Sequence, residues 1–455
     1  MPMTFSPDKM LQGLRNLKEC RNYCIALSGG LDSVVLLHSL VHLRNAGKLP
    51  NTQSLSAIHI NHQLNAGADN WQKFCEEVCG HWNVPLLTKK VEVLLGSGEG
   101  LENAARQARY AAFEALLTSS DALLMAHHLD DQMETLLLRL MRGSGPRGLA
   151  GIPALRKLGK TQIYRPFLAF SREPLKHYAI QAQLQWQEDD SNQNLDFDRN
   201  FCRHELLPLI QNRWPSYRES WDKTLQLAGE ADLLLTELAQ ADLETVKGQD
   251  PSVIDLAAVL DLSPARQRNV LRLWLMEASI PNCGWNLLQK LTTELIPAAD
   301  DATALHQGEG FQIRRFRNQL YLLRSLSSLE LPRRTDWDAR RDPCLELGVN
   351  GALSATGSIG HGLKLKDGDV LAVHYRKGGE HCQLSGRPTK SLKKLMQEQN
   401  LPPWLRDRQP LLYINQTLAC VPGIGVCEEF KATGAQAGLL VTWQQPDLRY
   451  KELNA

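Results

Sequence analysis

Residues 22–40 read NYCIALSGGLDSVVLLHSL, and this stretch decides the fold. The apolar run Asn22–Leu27 predicts a buried strand, and the helical spacing of Leu31–Leu43 predicts a helix after two glycines. Glycines let the backbone wrap around an anion, and the N–H groups and positive dipole end of the following helix attract it. Ser28–Ser33 therefore predicts a phosphate-binding loop.

Within this loop, Ser28 and Ser33 add hydroxyl donors, whereas a carboxylate at Asp32 would repel phosphates unless it holds a magnesium ion that bridges them. A serine and glycine turn with a helix cap is the alternative interpretation. The residues predicted to contact the nucleotide here are Ser28, Gly29, Gly30, Leu31, Asp32 and Ser33.

The following 100 residues continue to alternate between strand and helix patterns. Strands are predicted at Leu55–Ile60, Pro85–Val93 and Ala122–Ala126, and helices at Asn70–Trp82, Leu101–Leu117 and Asp130–Met141. This alternation predicts an α/β fold with a doubly wound parallel sheet, in which ligands bind beyond the carboxyl ends of the strands.

A second polar constellation, AHHLDDQMET, occupies Ala126–Thr135 at a later strand-to-helix junction. Asp130 and Asp131 are candidates for coordinating magnesium or for balancing charge in the site. Glu134 could orient an incoming amine, and His127 could carry a proton or contact phosphate. We predict that these four residues and Asp32 are catalytic, and that Asp32 and Asp131 are metal ligands. An acidic helix start favoured by the helix dipole is the alternative.

Two glycine patterns resemble nucleotide-binding motifs without the required context. Gly143, Gly145 and Gly148 spell G-x-G-x-x-G but follow a predicted helix, not a strand. Gly159-Lys160-Thr161 resembles the end of a Walker A motif without a strand-to-helix turn. Both are predicted to be loops.

Composition indicates a globular cytoplasmic protein. The 455 residues are 43% hydrophobic and 22% charged, with a net charge of +1. There is no apolar run long enough for a bilayer and no secretory pattern at the N-terminus, so we expect no membrane association. The ten cysteines lack C-x-x-C spacing and are expected to be buried or unused thiols.

Because the net charge is so small, a nucleic-acid partner requires local basic patches. Residues 139–172 contain eight Lys or Arg and no Asp or Glu, and residues 376–408 contain eight basic and three acidic residues. We expect the first stretch to contact such a nucleic acid through Arg142, Arg147, Arg165 and Arg172.

The length predicts two to three domains. We assign residues 1–214 to the nucleotide-binding domain, 215–328 to a mainly helical middle domain and 329–455 to a small α+β domain. The middle domain is predicted to contain long helices at Ser216–Val246, Pro264–Ala278 and Trp285–Ile296 and a β-hairpin at Phe311–Leu323, and the last domain a basic helix at Ser391–Gln399.

The chain resembles the PP-loop ATP pyrophosphatase superfamily, whose hallmark is SGGxDS, and more narrowly the tRNA(Ile)-lysidine synthetase family. The narrower resemblance rests on SGGLDS, AHHLDDQMET and segments that extend almost to the C-terminus. These segments are HINHQL (His59–Leu64), LENAARQARY (Leu101–Tyr110), RLMRGSGPRGLAGI (Arg139–Ile152), YRPF (Tyr164–Phe167), the acidic run Glu188–Asn192, RNFCRHELLP (Arg199–Pro208), RKGGE (Arg376–Glu380) and the stretch Arg387–Tyr413.

The resemblance implies a two-step ligation that uses ATP and Mg²⁺. The carbon-2 oxygen of the wobble cytidine in the CAU anticodon of the minor isoleucine tRNA is first adenylated, and the ε-amine of free L-lysine then displaces AMP to form lysidine. The resemblance also adds His59 and Asn61 to the nucleotide site and Arg203 to the tRNA site. It further implies that Lys390, Lys393 and Lys394 hold the acceptor arm of the tRNA.

Three alternatives remain open from the residues alone. A PP-loop tRNA thiolase would normally carry paired cysteines, which this sequence lacks. An amidotransferase would not need the two basic patches found here. A non-catalytic tRNA-binding protein would have no need for Asp32, Asp130 and Asp131, which are all present. A homodimer is possible.

Overall fold

The computed structural model describes residues 4–14, 17, 20–49, 54–63, 67–93, 101–280, 283–298, 304–325, 331, 334–366 and 368–450. The chain divides into two compact units, residues 1–234 and 235–455. The predicted boundary at 328/329 lies outside the described residues. In the described part of the chain, no helix is both long and apolar enough to cross a membrane.

The first unit is built on a six-stranded sheet with the strand order β3-β2-β1-β4-β6-β5. The strands are β1 (Asn22–Ala26), β2 (Ser54–Asn61), β3 (Leu86–Lys90), β4 (Asp121–Leu124), β5 (Leu155–Leu158) and β6 (Thr161–Tyr164). All neighbouring strands are parallel except β5 and β6. The predicted parallel sheet is confirmed, with one antiparallel edge strand added.

Helices connect and cover these strands. They are α1 (Pro7–Leu14), α2 (Leu31–Asn45), α3 (Ala68–His81), α4 (Leu101–Leu116), α5 (Leu129–Met141), α6 (Pro146–Leu149), α7 (Arg172–Gln181), α8 (Asp198–Phe201), the π-helix Cys202–Leu206, α9 (Leu207–Arg213) and α10 (Tyr217–Val246).

Alternate side chains of β1 enter separate hydrophobic layers, as expected for a sheet covered on both faces. Ile25 packs in a cluster with Leu36, whereas Cys24 belongs to a cluster that contains Phe113. The loops at the carboxyl ends of β1, β2 and β4 are consequently held by packed layers on both sides.

In the second unit, a four-stranded antiparallel sheet packs with short helices. The elements are β7 (Val253–Asp255), α11 (Leu256–Leu260), α12 (Pro264–Glu277), α13 (Trp285–Lys290), the π-helix Leu291–Leu295, β8 (Leu305–Gln307), β9 (Phe311–Phe316) and β10 (Gln319–Arg324). The predicted hairpin is confirmed as β9 and β10, and β7 and β8 extend it to four strands.

The described remainder of the second unit is a small α+β region with two α-helices and three further sheets. Its elements are β11 (Thr335–Trp337), β12 (Cys344–Glu346), β13 (Ala352–Ile359), β14 (Leu371–His374), β15 (His381–Cys382), β16 (Lys390–Ser391), α14 (Leu392–Glu398), α15 (Pro403–Arg406), β17 (Leu411–Ile414), β18 (Thr417–Val421), β19 (Gly425–Val426) and β20 (Ala437–Gln444).

One expectation about the cysteines is wrong. Cys382 and Cys427 form a disulfide, because the bridge between Leu384 and Cys427 brings β15 beside the segment after β19. Both residues are buried with Leu395, so the pair lies inside a small hydrophobic cluster. None of the other eight cysteines is disulfide-bonded.

Candidate nucleotide and amine site

The SGGLDS loop connects β1 to α2 and closes on itself through serine hydroxyls. Ser33 Oγ donates to Gly30 O at 2.9 Å and accepts from Ser28 N at 3.2 Å. Gly30 is the N-cap of α2, and no side chain caps this helix end. The first N–H groups of α2 therefore remain available to an anion.

The backbone at Gly29 requires glycine. Its φ is +85°, in the left-handed region, and a Cβ there would lie 2.6 Å from Trp71 Cδ1. Gln187 N donates to Gly29 O at 2.9 Å and holds the loop from the other side. The indole of Trp71 thus occupies the space that a side chain at residue 29 would need.

A cavity of about 370 Å³ opens beside the loop and extends over the carboxyl ends of β1, β2 and β4. Two of the predicted nucleotide-site residues line it from β2. His59 is 6% exposed and its Nδ1 lies 2.8 Å from Leu27 O, while Asn61 is 3% exposed and its Nδ2 donates to Asp69 and Gln72 at 3.2 Å. The other described lining residues include Ser28, Gly30, Asp32, Ser33, Trp71, Arg109, His127, Asp131 and Asp189.

The second constellation lies beside the first, as predicted, since β4 is adjacent to β1. His128 caps α5 through a reciprocal pair in which His128 N donates to Asp131 Oδ2 at 2.9 Å and Asp131 N donates to His128 Nδ1 at 3.4 Å. His128 Nε2 is 3.7 Å from Asp32 Oδ2. This histidine therefore connects the two acidic groups, a role that the sequence did not indicate.

Two arginines hold Glu134, which is 1% exposed. Arg199 Nε donates to Glu134 Oε2 at 2.7 Å, and Arg203 Nε donates to Oε1 at 2.6 Å. Arg199 Nη2 also donates to Asp131 Oδ1 at 2.8 Å. A buried carboxylate needs such partners, and removing one would leave a buried charge uncompensated.

Asp130 points away from the first cavity. Its Oδ2 accepts from Arg172 N at 2.7 Å, and its Oδ1 accepts from Arg218 Nε at 2.7 Å. Together with Glu134 and Arg203, it lines a second cavity of about 810 Å³ between α5, α7, α9 and α10. The two cavities share the acidic start of α5.

Asp32 has the electrostatics of a site that suits a cation. Burial raises the pKa of Asp32, and the charges of His128 and Arg172 offset this rise only in part. Its Oδ1 is buried and accepts no hydrogen bond from any residue that the structure describes. Both Asp131 oxygens, in contrast, already have donors.

This donor set fits Mg²⁺, which is usually bound by one or two carboxylates together with substrate phosphates. No group of three or more His, Cys, Asp or Glu among the described residues is arranged to hold a metal ion without such phosphates. The orphaned oxygen favours Asp32 over Asp131 as the protein ligand.

His127 lies in the wall of the first cavity. Burial lowers its pKa to about 3, and the nearby Arg165, Arg199 and Arg106 act in the same direction, although Asp131 opposes them. The imidazole is therefore neutral at physiological pH and can accept a hydrogen bond only at one nitrogen while donating at the other.

The predicted tRNA-contacting residues divide into two groups. Arg142, Arg147, Arg172, Lys393 and Lys394 are exposed. Arg165 is only 2% exposed, Arg203 is engaged with Glu134, and Lys390 Nζ lies 2.7 Å from Glu398 Oε1.

Sequence reasoning missed several site residues. Arg199 was missed, and Arg203 was assigned to the tRNA site without its contact to Glu134. The two arginines are four residues apart in the RNFCRHELLP segment, and this spacing could have indicated that both reach one partner. Trp71 of α3 lies against Gly29, and Arg218 of α10 donates to Asp130. No local sequence pattern indicates either contact. Asp189, which lines the first cavity, belongs to the acidic run 188–192, for which the sequence indicated no role.

The doubly wound sheet and its uncapped glycine loop define a PP-loop ATP-binding domain. Consistent with this, residues 4–210 match the PP-loop domain family, residues 254–321 the TilS substrate binding domain and residues 371–443 the TilS substrate C-terminal domain.

Relatives match over nearly the whole chain. The chain is 40% identical to the tRNA(Ile)-lysidine synthase of Coxiella burnetii, with 97% of each covered, and 37% identical to those of Yersinia pseudotuberculosis and Pseudomonas aeruginosa, with 98% of each covered. The chain belongs to the tRNA(Ile)-lysidine synthase family.

Two solved structures are similar to parts of the chain. A U34-tRNA thiolase from Methanococcus maripaludis covers 49% of this chain and 78% of its own, with a TM-score of 0.40 and 16% identity. The TilS C-terminal domain covers 25% of this chain and 99% of its own, with a TM-score of 0.18 and 22% identity.

Replacement of Gly29 probes the loop backbone. Gly29→Ala should weaken ATP binding at least about tenfold, because the left-handed φ and the clash with Trp71 displace the loop. Gly47→Ala is a matched control, since Gly47 has φ +65° and no atom within 4 Å of the added Cβ. Titration calorimetry with ATP would compare them, and equal affinities would contradict the assigned loop geometry.

Replacement of His127 probes acid stability. Because the folded pKa of His127 is depressed from 6.5 to about 3, the unfolded chain binds a proton below pH 6.5 that the folded chain does not, and stability falls as the pH drops through this window. Between pH 7 and pH 5, His127 should lower the unfolding free energy of the wild type by about 1–2 kcal/mol, and His127→Gln should lack this decrease. Urea unfolding measures this, with the exposed His177→Gln as control; identical pH dependence in both variants would contradict a neutral buried His127.

Proposed function

We propose that this protein joins free lysine to carbon-2 of the wobble cytidine in the CAU anticodon of the minor isoleucine tRNA. ATP activates the base, and the products are lysidine, AMP and pyrophosphate. The observation that carries the proposal is the uncapped start of α2 next to the orphaned Asp32 oxygen, both facing one cavity. Family membership supports the choice of substrate.

The chemistry needs an activated oxygen because the carbon-2 oxygen of cytosine is a very poor leaving group. That oxygen attacks the α-phosphate of ATP and pyrophosphate leaves; the lysine amine then attacks carbon-2 and the oxygen departs with AMP. No protein nucleophile is required. The protein contributes positioning and charge neutralisation, which dominate nucleotidyl transfer.

In this scheme the loop N–H groups and Ser28 and Ser33 bind the pyrophosphate part of ATP. Asp32 would hold Mg²⁺, which would supply charge neutralisation at the phosphates. Asp131 remains a predicted second ligand, although both of its oxygens have protein donors here. Because His127 is neutral, it can donate a hydrogen bond to a phosphate oxygen without an added charge.

We assign free lysine to the second cavity. Three of its acidic lining residues, Glu173, Glu219 and Asp222, form no ion pair with any described residue, so they can receive an ammonium group. Arg172 Nε lies 3.7 Å from Asp32 Oδ2 at the side of the cavity that faces the nucleotide. Glu134, fixed by two arginines, lines this cavity and is positioned to orient the ε-amine.

The amine must lose a proton before it attacks, because its unperturbed pKa is about 10.4. Burial alone would raise the pKa of Asp131, but His128 and Arg199 hold it well below its usual range. His127, with a pKa of about 3, is also a weak base in this state. Glu134 is also paired with two arginines, so its assigned role is to orient the amine, because it is the one of the three candidates that lines the lysine cavity.

The tRNA is assigned to exposed basic residues of both units: Arg142, Arg147 and Arg172 near the site, and Lys393 and Lys394 on α14. Arg165, Arg203 and Lys390 remain predicted tRNA residues; Arg165 is buried, and Arg203 is partly exposed and paired with Glu134. We place the reaction in the cytoplasm, where tRNA, ATP and free lysine occur together; a homodimer remains a prediction.

The thiolase alternative requires a sulfur carrier at the site. Neither cavity has a cysteine among its described lining residues. The thiol of Cys75, near the nucleotide site, is buried against His59, and burial raises its pKa to about 12. Such a thiol is a poor nucleophile.

The proposed function is tested with radiolabelled lysine, ATP and total tRNA. The protein should attach lysine to tRNA in a bond that resists the mild base that removes aminoacyl esters, and Asp32→Asn should lower the rate at least about 100-fold while tRNA binding persists. The exposed Asp8→Asn is the control. Incorporation of another amino acid, or full activity of Asp32→Asn, would contradict the substrate or the metal assignment respectively.

A separate pair of substitutions tests the lysine cavity. Glu219→Gln combined with Asp222→Asn should raise the KM for lysine about tenfold, since two carboxylates that face the ammonium are removed. Lysine-independent pyrophosphate release with tRNA and ATP should be unchanged. Glu230→Gln, on an exposed turn of α10, is the control; an unchanged KM in the double variant would place lysine elsewhere.

A further inference from the structure

We infer that Arg106, Arg156 and Arg165, grouped around Tyr110, form a second phosphate site that holds a backbone phosphate of the tRNA beside the nucleotide being modified. The inference rests on the proposed function for the identity of the nucleic acid. The site itself is defined by an excess of guanidinium charge around one aromatic ring.

Two of the arginines cover the ring of Tyr110. The Cζ atoms of Arg106 and Arg156 lie 4.9 Å and 5.3 Å from the ring centroid, and Arg106 Nη2 donates to the Tyr110 hydroxyl at 3.4 Å. Both side chains are exposed, whereas Tyr110 is 9% exposed. Stacking on the ring orients both planar guanidinium groups, and their remaining N–H groups can reach a ligand from solvent.

The third arginine lies behind them. Arg165 is 2% exposed, its Nη1 donates to Pro153 O at 2.7 Å, and its buried Nε has no hydrogen-bond partner among the described residues. Burial lowers the pKa of Arg165, and Arg156 and Arg106 lower it further. A buried arginine normally has a carboxylate partner.

No such carboxylate is present in the part of the chain that the structure describes. None of the three arginines forms an ion pair there, and Glu114, one turn after Tyr110 on α4, lies against Gly159 at the β5–β6 turn instead. The excess positive charge also changes the pKa of the Tyr110 hydroxyl. Burial alone would raise this pKa, but the charges of Arg106 and Arg165 bring it below the usual value. An anion bound at this cluster would compensate the charge.

Position distinguishes this cluster from the ATP site. Arg165 directly follows β6, and β4 separates β6 from β1 and the SGGLDS loop. With about 4.8 Å between strands, the two sites are separated by roughly 10 Å. The cluster still adjoins the first cavity, because the Tyr110 hydroxyl donates to Met125 Sδ at 3.7 Å and Met125 lines that cavity.

A phosphate is the ligand that suits the cluster, since forked guanidinium groups match its oxygens and a diester needs no additional proton donor. Pyrophosphate from ATP has the same chemistry but is assigned to the loop two strands away. The base must leave its stack to react. When that base enters the first cavity, the neighbouring tRNA backbone would pass the carboxyl end of β6, where the cluster lies.

The test is a charge-removing double variant, Arg106→Gln with Arg156→Gln, both at exposed positions. The control is Lys73→Gln with Lys89→Gln, which removes the same charge from α3 and β3 at the opposite edge of the sheet. Affinity for unmodified tRNA is measured across a salt series at constant pH, without lysine, and affinity for ATP is measured in parallel.

We expect the arginine variant to bind tRNA about fivefold to tenfold more weakly and to lower the log–log salt slope by about 0.7 for each phosphate that it no longer neutralises. ATP affinity should be unchanged, and the lysine control should retain the wild-type slope. A slope equal to that of the control would overturn the inference, as would a loss of ATP or pyrophosphate affinity with an unchanged tRNA slope. Since binding is measured without chemistry, this result is independent of whether lysine is incorporated.

Discussion

The left-handed backbone at Gly29 is the constraint on which the rest of the site depends. It turns the chain between β1 and α2 so sharply that the first N–H groups of the helix face a cavity, and Trp71 fills the space where a side chain would stand. An uncapped helix end is unfavourable without a partner, and an anion supplies it. The fold therefore creates its phosphate affinity before any ligand is present.

The second organising feature is a charge network that gives neighbouring carboxylates separate roles. Glu134 and Asp131 are held by Arg199 and Arg203, whereas Asp32 keeps one oxygen without a donor in the described structure. The π-helix that follows α8 carries Arg203 and so brings both arginines onto Glu134. Positive charge fixed in this way suits a site that binds phosphates.

Much of this could be predicted from the sequence. SGGLDS predicted a loop with unusual dihedrals because glycine spacing and strand–helix context are local, and the junction at Ala126 could be placed beside it because parallel strands align their carboxyl ends. The β5–β6 hairpin was missed because Gly159-Lys160 is a turn of only two residues within a basic stretch.

Interactions across long separations in the chain could not be predicted in the same way. Trp71 beneath Gly29, Arg218 on Asp130 and the burial of Arg165 depend on tertiary packing that no short pattern encodes. The same is true of the disulfide between Cys382 and Cys427, which are 45 residues apart. Charge counts along residues 139–172 predicted a basic surface, but could not distinguish the exposed Arg142 from the buried Arg165.

The most direct measurement of the central claim is the fate of the α-phosphate when lysine is omitted. With ATP labelled at the α-phosphate and the minor isoleucine tRNA, the account predicts that label appears on the tRNA with one equivalent of pyrophosphate, and that added lysine releases it as AMP. Pyrophosphate release with no label on the tRNA, or transfer of the γ-phosphate instead, would contradict adenylation of the base at this loop.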